Sequence, residues 1–189
     1  RMSGGLGDDT YVVDLPSDSV IELADEGFDT VKTTLASYRL SANVENLLYT
    51  GTGNFAGTGN ALANILSGSV GADTLTGAAG DDVFSFTAAD ANNDTVTDFT
   101  GAGMAGGDKL SFIGFGIDGT ISRIGVSDNF LVQGGAGYES AIATITLAGV
   151  TALASDDYVF IPENRAPAEL SLAAGTIAEN IAVGSTVGT

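Results

Sequence analysis

The residues best placed to do chemistry are carboxylates at a fixed interval. Residues 68 to 76 read GSVGADTLT and residues 77 to 85 read GAAGDDVFS, with Gly in the first and fourth places, Asp in the sixth and a large apolar residue in the eighth. The row before them, GNALANILS at 59 to 67, carries Asn64 in the Asp place and Leu62 in place of the fourth Gly, and a separate copy, GGLGDDTYV, stands at 4 to 12. Asp9, Asn64, Asp73 and Asp82 thus hold one position of a nine-residue row. Stacked carboxylates repel, so the arrangement is costly unless a cation lies between turns. For carboxylate and carbonyl oxygens the natural cation is Ca2+. A single Asp in a Gly-rich turn would be an ordinary turn residue that bonds its own backbone.

Rows of this kind require particular elements. Each is a six-residue turn followed by a three-residue strand whose middle side chain points inward, so Met2, Tyr11, Leu66, Leu75 and Phe84 are expected to stack into a narrow core. The Gly places allow turn geometry that a side chain would resist. Outside the rows, strands are expected near 10–14, 19–23, 29–35, 44–50, 94–99, 109–113, 120–126, 129–133, 141–148 and 157–161, with one short helical turn within 151–158. Asp118-Gly119 reads as a hairpin turn between FIGFGI and TISRI. The expected class is all-β: a parallel β-roll or β-solenoid with flanking antiparallel strands forming a sandwich-like cap.

Composition excludes several chemistries. The 189 residues carry 24 acidic and 6 basic side chains, a formal charge of -18, with no His, Cys or Trp. Nucleophile pairs built on His or Cys, thiol redox chemistry and zinc or haem sites of the usual ligand types are therefore absent from this chain. So acidic a chain lacks the basic footprint that nucleic acid requires. No apolar run is long enough for a membrane-spanning helix; AIATITLAGVTAL at 141 to 153 alternates with Thr as a strand does. The 27 glycines agree with many repeated turns.

The rows resemble the RTX (hemolysin-type) nonapeptide family of secreted bacterial proteins, whose parallel β-roll binds calcium between turns. Residues 9 to 54, with DTV and NVENL, look like the spacer that joins RTX blocks, and DTVTDFTGAGMAGGDKLSF at 94 to 112 resembles the closing strands of serralysin-type C-terminal regions. The resemblance implies ligands from the sixth-place Asp and from turn carbonyls at Gly4, Gly5, Gly7, Gly68, Gly71, Gly77 and Gly80. Two rows on the same side share a site, which pairs Asn64 with Asp82. Asp73 meets Phe55 two rows upstream, so its partner is sought downstream at Asp90 or Asp94, while Asp9 has an incomplete site. In the closing segment Asp98 and Asp108 are the matching acids, separated here by the insertion GAGMAGG. NRAPAELSLAAGTIAENIAVGSTVGT at 164 to 189 looks like the opening of a cadherin-like repeat, with Glu179 and Asn180 at its ligand element.

Four segments follow: a row plus spacer at 1–58, consecutive rows at 59–93, closing strands at 94–163, and a linker with the truncated cadherin-like start at 164–189. Both ends cut through motifs, so the chain is expected to be an excerpt of a longer protein. The expected function is a noncatalytic calcium-binding structural module of an extracellular bacterial adhesin or matrix protein. Its expected partners are calcium ions, neighbouring domains of the same chain, and other copies or cell-surface glycans. The competing readings are the secretion and folding module of an exoenzyme, of protease or alginate epimerase type, and a carbohydrate-binding module.

Overall fold

The computed structural model describes residues 1–101 and 107–162. Among these residues there is no helix, and fourteen strands form two seven-stranded sheets. The first sheet contains β1 (Thr10–Val13), β2 (Thr30–Thr33), β4 (Asn46–Tyr49), β6 (Ile65–Ser67), β8 (Val83–Thr87), β10 (Lys109–Ile113) and β14 (Tyr158–Ile161), in that spatial order and all parallel. The second runs β11 (Thr120–Arg123), β12 (Asn129–Gln133), β13 (Ile142–Leu147), β9 (Asp94–Val96), β7 (Thr74–Thr76), β5 (Ala56–Thr58), β3 (Ser37–Arg39). Antiparallel pairing occurs only at β11–β12 and β12–β13 among the described strands.

From β3 to β10 the chain alternates strictly between the sheets. Strands of three to five residues suffice because each needs only one inward side chain. In the first sheet Tyr11, Val31, Leu47, Leu66, Phe84 and Leu110 are in register and all buried. The matching row of the second sheet is Tyr38, Gly57, Leu75 and Val96. The sheets meet across this core: a Cβ on Gly57 would lie 3.3 Å from Leu47 Cδ2 and 3.1 Å from Leu75 Cδ2. The space that Gly57 leaves is filled by Phe55, which stacks on Tyr49 at 4.4 Å between ring centroids. Met2 packs partly buried against the same core. At the other end Phe112 contacts Phe86 at 5.6 Å, Phe115 at 5.8 Å and Phe160 at 5.2 Å, so aromatic area takes over where the narrow aliphatic stack ends.

Several local expectations are corrected. Residues 19–23 form a single bridge, Met2 with Val20, because Ile21 and Leu23 face solvent and offer no second inward residue. β3 and β5 were not foreseen; AGT and SYR carry almost no strand signal, and they extend only because the neighbouring coils supply their hydrogen bonds. No helical turn forms in 151–158, where Asp157 Oδ2 instead accepts the Ala154 N–H at 2.6 Å. Asp118-Gly119 does not join a hairpin. β10 already has β8 on one edge and β14 on the other, so β11 is sent to the opposite sheet. β1, β2 and β4 lie in register in the same sheet as β6, β8 and β10. The cadherin-like start with Glu179 and Asn180, and most of GAGMAGG, lie outside the described residues.

Because a Cβ on Gly57 would come within 2.6 Å of Phe55 Cε1, Gly57→Ala should overpack the core and cost about 1–3 kcal/mol. Gly53→Ala, with only Tyr49 Oη at 3.9 Å, should cost much less, and thermal melts of the two variants check the difference.

Candidate functional site

The residue immediately before each of the first six strands of the first sheet is Asp9, Asp29, Glu45, Asn64, Asp82 and Asp108, for β1, β2, β4, β6, β8 and β10 in turn. Register therefore stacks six acidic or amide side chains along one edge. Hydrogen bonds hold most of them in a ladder. Asp29 Oδ1 accepts the Asp9 N–H at 2.9 Å, Glu45 Oε2 the Asp29 N–H at 2.8 Å, Asp82 Oδ1 the Asn64 N–H at 2.8 Å, and Asp108 Oδ1 the Asp82 N–H at 2.9 Å. A shorter ladder runs along the second sheet, where Asp73 Oδ1 accepts the Phe55 N–H and Asp94 Oδ1 the Asp73 N–H, both at 2.8 Å.

The Gly places of each row make this possible. A Cβ on Gly68 would fall on Asp73 Oδ2, one on Gly77 on Asp82 Oδ2, and one on Gly4 on Asp9 Oδ2, so the first Gly is bare because the row's own carboxylate folds back over it. The fourth Gly has positive φ, +137° at Gly71 and +120° at Gly80, and Gly7 matches it. There the turn touches the preceding coil on its own side: a Cβ on Gly71 would lie 2.7 Å from the Gly53 carbonyl oxygen. Gly5 also takes positive φ, and Ala78 does so in the corresponding place of its row.

The predicted residues separate into groups. Asn64 and Asp82 are joined directly, and Asp73 is joined to Asp94. Asp90 stands outside the ladder, its Oδ1 accepting from Thr87 N at 2.9 Å and Thr87 Oγ1 at 2.6 Å, although its charge acts on Asp73 and Asp94. Asp98 binds the Gly77 and Ala78 N–H groups at 2.9 and 2.8 Å, whereas Asp108 binds Asp82 N and, through Oδ2, Thr100 N at 2.8 Å. Asp98 and Asp108 thus bind the two ends of one turn, 77–82, and the charges of both act on Asp82. Asp9 is joined to Asp29. Sequence reasoning missed Asp29, Glu45 and Glu22. The first two were detectable: Asp29-Thr30-Val31 and Glu45-Asn46-Leu47 place an acid two residues before an inward side chain, as in Asp82-Val83-Phe84. Glu22 stands two residues after the buried Val20 and accepts from the first Gly of a row, Gly4, as Asp98 stands two after Val96 and accepts from Gly77.

These carboxylates are buried together, with Asp73, Asp82, Asp94 and Asp108 at most 3 % exposed. No described Lys or Arg forms an ion pair with them. Burial pushes the Asp94 carboxyl up to about 7, against the lowering bond from Asp73 N and with help from the Asp73 and Asp90 charges. Burial likewise raises Asp82 to about 6, with the Asn64 N–H lowering it and Asp108, Asp98 and Asp81 raising it. Asp73 is raised mainly by burial. Among the described residues no three acidic side chains close on one point as a metal cage. A cation at these turns would instead draw on one or two carboxylates and on turn carbonyls, which suits a hard ion that takes oxygen ligands.

No family model matches the chain. It is similar to a curated protein, endo-1,3-1,4-beta-glycanase ExsH of Rhizobium meliloti (strain 1021), at 46% identity over 74 residues. That match covers 39% of this chain and 16% of the relative's length.

Folded-state values raised above the ordinary 3.8 mean that protonation favours the fold. In excess chelator this stabilisation should be complete near pH 4 and be lost as pH rises through about 6 to 7. Melting temperature should therefore be lower at pH 8 than at pH 5, and Asp94→Asn should flatten the slope; a melt series in chelator checks both.

Proposed function

We propose that the chain is a noncatalytic calcium-binding module of a secreted or cell-surface bacterial protein, built as an RTX-like β-roll and folding as calcium binds outside the cell. The observation that carries this reading is the pair of buried carboxylate ladders on consecutive coils with no ion pair to a basic side chain among the described residues. Burying like charges this closely is unfavourable unless a cation accompanies them. The sites favoured are the turns around Asn64, Asp82 and Asp108 and those around Asp73 and Asp94, completed by carbonyls of the turns at Gly68, Gly71, Gly77 and Gly80. At submicromolar calcium the carboxylates repel and short coils pack poorly. At calcium about 100 times Kd, binding adds about 2.7 kcal/mol per site.

The module is placed first in an adhesin or matrix protein, where it would space neighbouring domains. A second placement, beside the catalytic part of a polysaccharide-degrading exoenzyme, is favoured by the similarity to a protein named as a glycanase. The two readings share the same role for this chain. A chain that by itself releases reducing ends from a β-1,3-1,4-linked glycan would refute both.

Calcium should raise the melting temperature of the chelated protein, and Asp73→Asn and Asp82→Asn should each reduce that rise. Asp118→Ala removes a carboxylate that accepts only a loop bond, from Ala136 N at 3.1 Å, among the described contacts, so it should lower stability equally with and without calcium. Calorimetric titration with a count of bound ions tests the assignment. Equal calcium binding in all three variants would remove it.

A further inference from the structure

The turns that lead into the first sheet carry a largely apolar groove along one edge of the molecule. Two hollows adjoin there. The first, about 420 Å³, is lined by residues that include Leu23, Asp25, Phe28 and Glu45, and the second, about 610 Å³, by residues that include Arg39, Ala61 and Ala78; Asn43 and Leu62 line both. Apart from Arg39, at the end of β3, these residues lie in the connections that precede β2, β4, β6 and β8. Those strands are consecutive in the sheet, so the groove runs about 15 Å across four coils. Of the residues named, Glu45 alone belongs to a carboxylate ladder.

Its apolar members are out of place on a turn edge. Leu62 stands in the fourth place of its row, which Gly fills in the two rows that follow, and it is 38 % exposed. Leu23 is 66 % and Phe28 71 % exposed. The Phe28 N–H is tied to Asp8 Oδ1 at 2.9 Å, whereas its ring makes no ring contact among the described residues. The backbone is fixed and the ring is open to solvent. Left-handed backbone at Asp25, Asn43 and Ala78, with φ of +64°, +61° and +79°, sets the walls in tight turns. Large apolar side chains exposed together on preformed turns mark a binding surface.

The polar groups on the rim select the occupant. Asn43 spends Nδ2 on the Glu22 carbonyl at 2.9 Å and Glu45 spends Oε2 on the Asp29 N–H at 2.8 Å, and among the described contacts nothing donates to Asn43 Oδ1 or Glu45 Oε1. Arg39 forms no ion pair among the described residues, although acids outnumber bases by 24 to 6. Apolar side chains flanked by single acceptors and donors match a sugar chain, whose rings carry apolar C–H faces and a rim of hydroxyls that both donate and accept. A wholly apolar partner would leave the rim unpaired, and an anionic one would meet Asp25 and Glu45. We propose that this groove binds an extended, neutral glycan chain, with Phe28 stacking on one ring, Leu62 as the floor between two subsites, and Asn43 and Arg39 bonding hydroxyls. The site uses none of Asp73, Asp82, Asp94 or Asp108, so it stands whether or not the ladders bind calcium.

The test is native affinity electrophoresis of the full chain, with calcium present, in gels holding a soluble β-1,3-1,4-glucan and in parallel gels holding polygalacturonate. The glucan should retard the wild type and the polygalacturonate should not. Phe28→Ala should weaken retention about 10-fold or more, the effect of losing one covered aromatic face, while Phe28→Tyr keeps it. Leu62→Gly, which restores the residue of the neighbouring rows, should weaken it as well. Ile117→Ala removes a side chain 76 % exposed and outside the groove, and it should bind like the wild type. Phe28 is exposed, so Phe28→Ala should melt with the wild type; should it melt lower, Arg39→Met, at another exposed position, decides by the same loss of retention. No retention by the glucan, or equal retention of Phe28→Ala and wild type, overturns the proposal. So does retention by polygalacturonate that Arg39→Met abolishes and Phe28→Ala leaves intact, the mark of an anion site. Self-association that Phe28→Ala abolishes, without glucan binding, would assign the groove to a second copy and overturn it too.

Discussion

Each ladder carboxylate spends one oxygen on the backbone N–H of the residue at the same level in the preceding coil of its own sheet. That bond links coils not otherwise adjacent in sequence, since Asp82 reaches Asn64 and Asp108 reaches Asp82 across a full circuit of both sheets. It also sets register. A slip of one residue would detach the carboxylate and turn the inward side chain outward in the same step. The cost is electrostatic: a bond that must be repeated at every coil brings a new negative charge beside the last one, out of water.

Two features keep the arrangement compact enough for the ladder to form. Bare glycines at Gly68 and Gly77 let each carboxylate fold over its own turn, and the inward row from Tyr11 to Leu110 gives each coil one apolar anchor. One buried side chain per three-residue strand is a thin core. Burying a Leu or Phe contributes about 1.5–3 kcal/mol, whereas ordering a backbone residue costs about 1–2 kcal/mol. Coils of this length therefore depend on their turns, and the aromatic cluster around Phe112 closes the end where no further coil continues the aliphatic row.

How much of this was legible follows from the same physics. The consecutive rows announced themselves because their turns are tight: Gly68 and Gly71 are forced by contacts with Asp73 and Gly53, so spacing and residue type appear together. The coils through β2 and β4 keep the same strand position and the same preceding acid, but they depart from the 18-residue circuit, with 20 residues from Asp9 to Asp29 and 16 from Asp29 to Glu45, so Asp29 and Glu45 lost the nine-residue signature while retaining its hydrogen bonds. β5 was hidden for the opposite reason. Its inward residue is Gly57, and the apolar volume comes from Phe55 one pleat earlier, a substitution visible only in three dimensions. Asp118-Gly119 had correct turn chemistry, but both edges of β10 are taken, by β8 and β14.

The two ladders are not equivalent, and the difference bears on where calcium would matter most. In the first sheet Asn64 interrupts the acids, and its amide donates to the Val44 and Glu45 carbonyls at 3.1 and 3.2 Å, so the charge is diluted by a neutral group that satisfies carbonyls itself. In the second sheet Asp73 and Asp94 are consecutive, with Asp90 acting on both, and there burial raises a carboxyl further than in the first, to about 7 for Asp94 against about 6 for Asp82. A proton and a divalent cation compete for the same oxygens. A calcium ion bound there as proposed would have to displace the proton that Asp94 holds near neutral pH, so its binding would release protons and weaken as pH falls below about 7.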